Sequence, residues 1–263
     1  MEKRKNRNMG RLTRKPFQGI VNIIRFNWHY YAIAFIVITI LFIFKEKLPS
    51  YLDIVATIIL LFSMVSIITS LVISYYIYDY SELYTLNWLN NLNIGSNTQL
   101  VNIHAGFDET SSLLQEKYPD STLIVFDFYD PNKHTETSIK RARKAYPKYP
   151  NTKAISTHYI PLQANSVDYI FLILAAHEIR NNAERIDFFN QLANALTING
   201  KIIVVEHQRD LYNFMAYNIG FLHFISNKTW KQTFSKAGLL QDTTITITPF
   251  ITTFILKKNG ITT

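Results

Sequence analysis

The sequence predicts an α/β fold: a mainly parallel sheet with an antiparallel last strand, preceded by two transmembrane helices. Three observations predict it. Two long stretches near the N-terminus carry no Asp, Glu, Lys or Arg. Downstream, short apolar runs rich in Val and Ile alternate with helical segments, the pattern of a sheet covered on both faces. The last two runs flank Pro249 and read as a hairpin.

Residues 1–27 form a basic arm. Eight Lys and Arg stand there against Glu2, a net charge of +7, while the whole 263-residue chain carries +8. The arm directly precedes an apolar span, so anionic inner-leaflet lipids are its expected partner, at about 1 kcal/mol per basic residue near the surface. The remaining chain is almost neutral and offers nucleic acid no footprint. The two expected spans are 28–44 and 54–78. At 1.5 Å per residue they reach about 25 and 37 Å, and flanking apolar residues extend the first. Tyrosines cluster at their ends, as interfacial aromatics do. The charge asymmetry puts the arm, and after two crossings residues 79–263, on the cytoplasmic side of a bacterial-type inner membrane. A cleaved signal peptide is the weaker reading, since KEKLPS offers no small-x-small cleavage site. That orientation also keeps the Asn227-Lys228-Thr229 sequon from glycosylation.

Residues 79–97 read as a connecting helix. Ser81 is its N-cap candidate, and Leu83, Leu86, Leu89 and Leu92 recur along one side. In the domain at 98–263, strands are expected at 99–103, 122–126, 153–156, 168–174 and 201–205, and in the closing pair 243–247 and 250–256. Helices are expected at 109–117, 135–145, 183–195 and 227–237, with helical stretches between 206 and 224. With 48% hydrophobic and 14% aromatic residues the chain is not disordered. It has no Cys, which excludes disulfides, a cysteine nucleophile and Cys-ligated metals.

In such sheets ligands bind outside the carboxyl ends of the strands, where strand order reverses. The loops there carry the candidate chemistry. His104-Ala105-Gly106-Phe107-Asp108 follows the first strand and opens a helix, and Gly106 lacks the Cβ that would block a ligand. It is not GxGxxG, which argues against a nicotinamide-dependent oxidoreductase. Asp127, at the tip of the second strand, is placed to accept hydrogen bonds from ribose hydroxyls. His177 and Glu178 follow the fourth strand, and Glu206 and His207 the fifth. A His near its ordinary pKa removes a proton from a phenol or enol. For each of these residues the alternative is a hydrogen-bonded structural role. HEIRN is not HExxH, since its fifth residue is Asn181, so no metal site is read from the sequence.

HAGFD, Asp127, IPL…SVD and LTING stand in order at fitting distances over about residues 98–258. Together they resemble the class I S-adenosylmethionine-dependent methyltransferases, of the type 11-like kind, with a Rossmann-like sheet. HEIRN is also similar to a short LRN segment of the ubiquinone/menaquinone C-methyltransferases. The resemblance implies S-adenosylmethionine as cofactor, held by His104, Ala105, Gly106, Asp108, Asp127, Phe128, His158 and Ala175. It implies His177, with His207 and Glu206 as alternatives, as the catalytic group that deprotonates the acceptor. The sequence departs from the family pattern in places. His104 and Asp108 stand for the first and third loop glycines, Asn102 for the strand acid, and Ser156, Thr157 and His158 for the acid after the third strand. The anchor points to a small lipophilic substrate: a quinone, aryl lipid or pigment precursor. The altered glycine loop motivates the alternative, a catalytically inactive methyltransferase-like membrane scaffold or partner protein.

Overall fold

A computed structural model describes residues 14–260. Most of the basic arm, residues 1–13, and the last three residues lie outside the described part.

The chain opens with α1 (Gln18–Phe44) and α2 (Ser50–Tyr75), joined through a short 3₁₀ turn at Lys45–Lys47. At 1.5 Å per residue each is about 40 Å long, enough for a bilayer core. Their apolar side chains are largely uncovered: Phe35 is 70% exposed, Phe42 66% and Phe62 65%. The first helix starts ten residues before the expected span. It is kinked at Asn27 (φ −113°, ψ 15°), directly before Trp28. The kink separates a domain-facing piece, with Gly19, Asn22 and Phe26 buried, from the apolar rod.

The connecting segment is not one α-helix, which corrects the expectation for 79–97. A π-turn spans Tyr76–Tyr80 and a 3₁₀ helix Asn87–Leu92. Ser81 turns its hydroxyl back to the Ile77 carbonyl, and Leu86 sits at φ 56°. A leucine spacing of three matches the 3.0-residue turn of a 3₁₀ helix rather than an α-helix. The buried face was nevertheless legible: Leu83, Leu86 and Leu89 are buried, joined by Trp88.

The domain follows as β1 (Gln99–His104), α3 (Ser111–Lys117), β2 (Thr122–Asp127), α4 (Thr137–Ala145), β3 (Lys153–Ala154), β4 (Val167–Ile173), α5 (Asn182–Ala195), β5 (Leu196–His207), α6 (Leu211–Tyr217), α7 (Asn227–Lys236), β6 (Leu239–Thr248) and β7 (Ile251–Lys258). The sheet order is β3-β2-β1-β4-β5-β7-β6. β1 to β5 run parallel, and β7 is antiparallel to both β5 and β6. Alternate strand residues feed two cores. Val101, Ile170, Leu172 and Val204 pack with Phe188, Phe189 and Trp230 from α5 and α7. Leu100, Phe171, Ile203 and Val205 pack with Ile77 and the buried leucines of the connector. β5 starts earlier than expected because Leu196 already pairs with Val167 before the register jumps to Tyr169 and Lys201.

Candidate functional site at the carboxyl ends of the strands

Strand order reverses between β1 and β4. A cavity of about 290 Å³ opens there. His104 and Ala105 from β1, and Ile173 and Leu174 from β4, form its floor. Asn22, Ile23 and Phe26 of α1 roof it. A second cavity, of about 500 Å³, lies between the ends of β2 and β3 and the loop after β4. Phe128, Tyr129, Ser156, Thr157 and Asn181 line it, and Glu178 borders both cavities.

Asp127, the last residue of β2, is 2% exposed and lines neither cavity. Its Oδ1 accepts the Tyr129 N–H at 3.0 Å. Its Oδ2 accepts from Arg143 Nη1 at 2.7 Å, with Lys148 Nζ at 3.5 Å. Burial pushes this carboxyl up, but the Arg143 hydrogen bond, the nearby His104 and the Tyr129 N–H together outweigh it and the pKa is lowered. Arg143, from the last turn of α4, also donates to the Gly106 carbonyl at 3.2 Å, and its guanidinium lies 4.1 Å over the Tyr129 ring. Gly106 has φ +96°, and a Cβ there would stand 2.8 Å from Arg143 Nη1. The space left beside Gly106, Asp108 and Arg143 is only about 30 Å³.

His104 is buried, and its Nδ1 accepts the Gly106 N–H at 3.2 Å. Burial lowers its pKa. Asp108 caps α3, its Oδ1 accepting the N–H groups of Thr110 and Ser111 at 2.9 Å. Its Oδ2 and His104 Nε2 face each other at 3.8 Å, and neither has a hydrogen-bond partner. Asn102 donates to the Thr110 and Ser111 hydroxyls, fixing the same helix start. Phe128 and Ala175 are buried wall residues. The His158 side chain is exposed and lies 3.9 Å from Glu184; it lines neither cavity.

The polar head of the first cavity gathers His177, Glu178 and His223. Glu206, fully buried, accepts the His177 backbone N–H at 3.1 Å and pairs with His177 Nδ1 at 2.6 Å. Burial alone would push the imidazole down; Glu206 and Glu178 reverse that and hold it at about 10. Burial would raise Glu178, but the two histidines hold it well below the usual carboxylate range. His207 is occupied on both ring nitrogens. Nδ1 donates to Asn213 Oδ1 and the Phe250 carbonyl, each at 3.0 Å, and Nε2 accepts from Tyr78 Oη at 2.8 Å. Burial pushes His207 down to about 4. Of the three groups expected to face an acceptor proton, His177 alone has a ring nitrogen turned toward the cavity head.

Sequence reasoning missed Arg143, His223 as the neighbour of His177, and the α1 roof. Arg143 stands in a basic helix, SIKRARKA, that reads as a solvated surface; no local signal marks the residue that turns inward. Glu109 was also missed. It gathers Arg14 at 2.7 Å, Gln18 at 3.2 Å and Tyr84 at 2.9 Å, tying the start of α1 to the loop after β1.

The strand order, the reversed last strand and the cleft beside β1 define the fold of class I S-adenosylmethionine-dependent methyltransferases. A chain from the complex of the Haloferax volcanii Trm112 methyltransferase activator with a methyltransferase matches with a TM-score of 0.52 at 10% identity, covering 70% of this chain and 91% of that one. A S-adenosylmethionine-dependent methyltransferase from Methanosarcina mazei gives 0.49 at 11% identity, covering 65% and 96%. One from Aquifex aeolicus gives 0.48 at 13%, covering 68% and 93%. No family model matches the chain, and no curated protein is similar to it in sequence.

Proposed function

We propose that the protein is a membrane-anchored S-adenosylmethionine-dependent methyltransferase that acts on a small lipophilic molecule. One observation carries this reading: the cavity at the strand-order reversal is floored by the ends of β1 and β4 and roofed by the first turns of α1, next to its long apolar rod. The same space therefore borders the cofactor position of the fold and the surface from which a lipid-dissolved acceptor would arrive.

The residues fit the cofactor with one exchange. Residues beside the position that the resemblance assigns to the ribose line the two cavities, His104 the first and Phe128 the second. Asp108 Oδ2 is a buried acceptor without a donor, suited to an ammonium group. Asp127 is the ribose acceptor, and Arg143 must leave its Oδ2 before a hydroxyl can donate there. When bound, the cofactor supplies an electrophilic methyl group on a sulfonium. The chain's own residues do the rest. Ile23, Phe26 and Phe107 exclude water and hold the apolar part of the acceptor. His177, its ring fixed by Glu206, lies at the acceptor end and takes the acceptor's ionisable proton only after giving up its own. The exposed apolar flanks of α1 and α2 supply the anchor, and the positive charge of the basic arm favours anionic lipid.

The Arg143–Asp127 ion pair favours a second reading, a methyltransferase-like membrane protein that binds no nucleoside. Titration of the full chain in detergent with S-adenosylhomocysteine separates the two. Binding by the wild type or by Arg143→Ala supports the enzyme; no binding by either folded protein supports the scaffold. Mass spectrometry of lipid extracts with and without the protein then identifies the acceptor by a shift of one CH₂ unit.

A further inference from the structure

We propose that His177, Glu178 and His223 form a binding site for a first-row divalent transition-metal ion, zinc by its ligand set. The site lies at the polar head of the cavity between α1 and the sheet. This extends the methyltransferase reading by putting a Lewis acid at the acceptor end. Its test reads metal binding alone, so a failure of nucleoside binding leaves it standing.

Three separate pieces of chain converge here: the turn at Ala176–Glu178, the end of β5 and the turn at Asn218–His223. His177 Nε2 lies 3.4 Å from Glu178 Oε1, and His223 Nε2 lies 3.7 Å from the same oxygen. One ligand atom from each of the three residues can be chosen so that all lie within 4.8 Å of one another. Zinc bonds of 2.0–2.2 Å at tetrahedral angles separate ligand atoms by about 3.3–3.5 Å. Two edges of the triangle are therefore already near that length. The third closes by a small swing of His223, whose side chain is 31% exposed.

The strongest indication is behind the cluster. Glu206 is fully buried and spends both oxygens on His177, one on its backbone N–H and one on Nδ1. A buried carboxylate is costly to desolvate, and here its partners are both on one histidine. The arrangement holds Nδ1–H on Glu206 and aims Nε2 at Glu178 and the cavity, where an incoming ion replaces the Nε2 proton. It is the carboxylate–histidine–metal geometry by which proteins orient a ligand. Two imidazoles and one carboxylate suit zinc rather than calcium or magnesium, which take oxygen ligands. Three protein ligands leave a fourth position open, and the first cavity lies on that side. Binding forms the metal–nitrogen bonds and releases to solvent any proton then on the imidazoles, with no change of oxidation state. An acceptor hydroxyl on the open position becomes more acidic, as metal-bound water does.

Two groups compete. Arg180 Nη2 lies 2.6 and 2.5 Å from the His223 ring nitrogens, and Glu136 Oε1 lies 3.3 Å from His223 Nδ1. The exposed Arg180 side chain must swing off the ring for the ion to enter. The test uses the untagged full chain in detergent, stripped of metal. It is titrated with Zn²⁺ by calorimetry and with Co²⁺ by visible absorption. The expected result is one equivalent bound with a Kd of about 10 µM or tighter. His177→Ala and His223→Ala abolish it, Glu206→Gln weakens it by about 10- to 100-fold, and Arg180→Ala tightens it. Glu178→Gln tests the third ligand should His177→Ala fail to fold, and is expected to lose the tetrahedral cobalt spectrum. No binding by wild type and Arg180→Ala, or binding that survives His223→Ala or Glu178→Gln unchanged, overturns the proposal.

Discussion

Arg143 Nη1 stands 2.7 Å from Asp127 Oδ2, so a side chain from α4 closes the place where the fold would hold a ribose. Removing it has opposite effects on the empty and the loaded protein. Arg143→Ala leaves a buried carboxylate with Lys148, one backbone N–H and the more distant His104 ring, and is expected to lower stability by about 2–3 kcal/mol. The same variant frees Asp127 and should bind S-adenosylhomocysteine about tenfold more tightly, equivalent to 1.4 kcal/mol. Thermal unfolding with and without the ligand reads both. A variant less stable but no better at binding argues that Arg143 is not the obstacle.

Gly106→Ala is expected to be destabilising by about 1–3 kcal/mol, because the residue would be held at positive φ with its Cβ 2.8 Å from Arg143 and 2.9 Å from Tyr129. The double variant with Arg143→Ala should recover the Arg143 share of the clash and keep the Tyr129 contact and the backbone strain. Urea unfolding of the four proteins measures the coupling; strict additivity would mean that the two residues do not touch.

His207 supplies a pH dependence. Its folded pKa of about 4 lies below the unfolded value near 6.5. Below pH 6.5 the unfolded chain takes up a proton that the folded chain refuses until about pH 4. Stability therefore falls with falling pH across that window, by up to about 3 kcal/mol. Melting curves from pH 7.5 to 4.5 should show His207→Gln with a flatter profile than wild type. Equal slopes would mean that His207 titrates normally in the folded protein.

The absence of cysteine makes topology directly measurable. Lys47→Cys, in the turn between α1 and α2, is expected to react with a membrane-impermeant maleimide on intact cells. Lys236→Cys, exposed on α7, is expected to react only after permeabilisation. Labelling of both, or of Lys236→Cys alone, on intact cells would sink the inside orientation of the domain.

The sheet was legible because its inner strands are short apolar β-branched runs separated by polar helix and turn segments. The carboxyl-end loops followed from the strand order that such runs imply. The connector was misread because a leucine period of three was taken for an α-helical face. The start of α1 was missed because Gln18–Asn27 is polar and buries itself only against the domain, through Asn22 and Phe26. In the site, His177 and Glu206 were found from their positions after β4 and β5. Their pairing with each other, and that of His177 with His223, required the fold, since 29 and 46 residues of chain separate them. Arg143 could not have been found at all: charge alone does not say which way a helix residue turns.

Asp79 receives the Gly19 and Ile20 N–H groups at 2.7 and 2.8 Å, and Glu109 holds Arg14 and Gln18. A rod bolted down at its base cannot act as a rope. The reaction chamber would ride at one fixed height under the lipid headgroups, neither dipping nor tilting freely. On the proposed membrane-anchored reading, such a spacer would select molecules by how far their reactive atom projects from the bilayer, whatever the length of the tail that keeps them there.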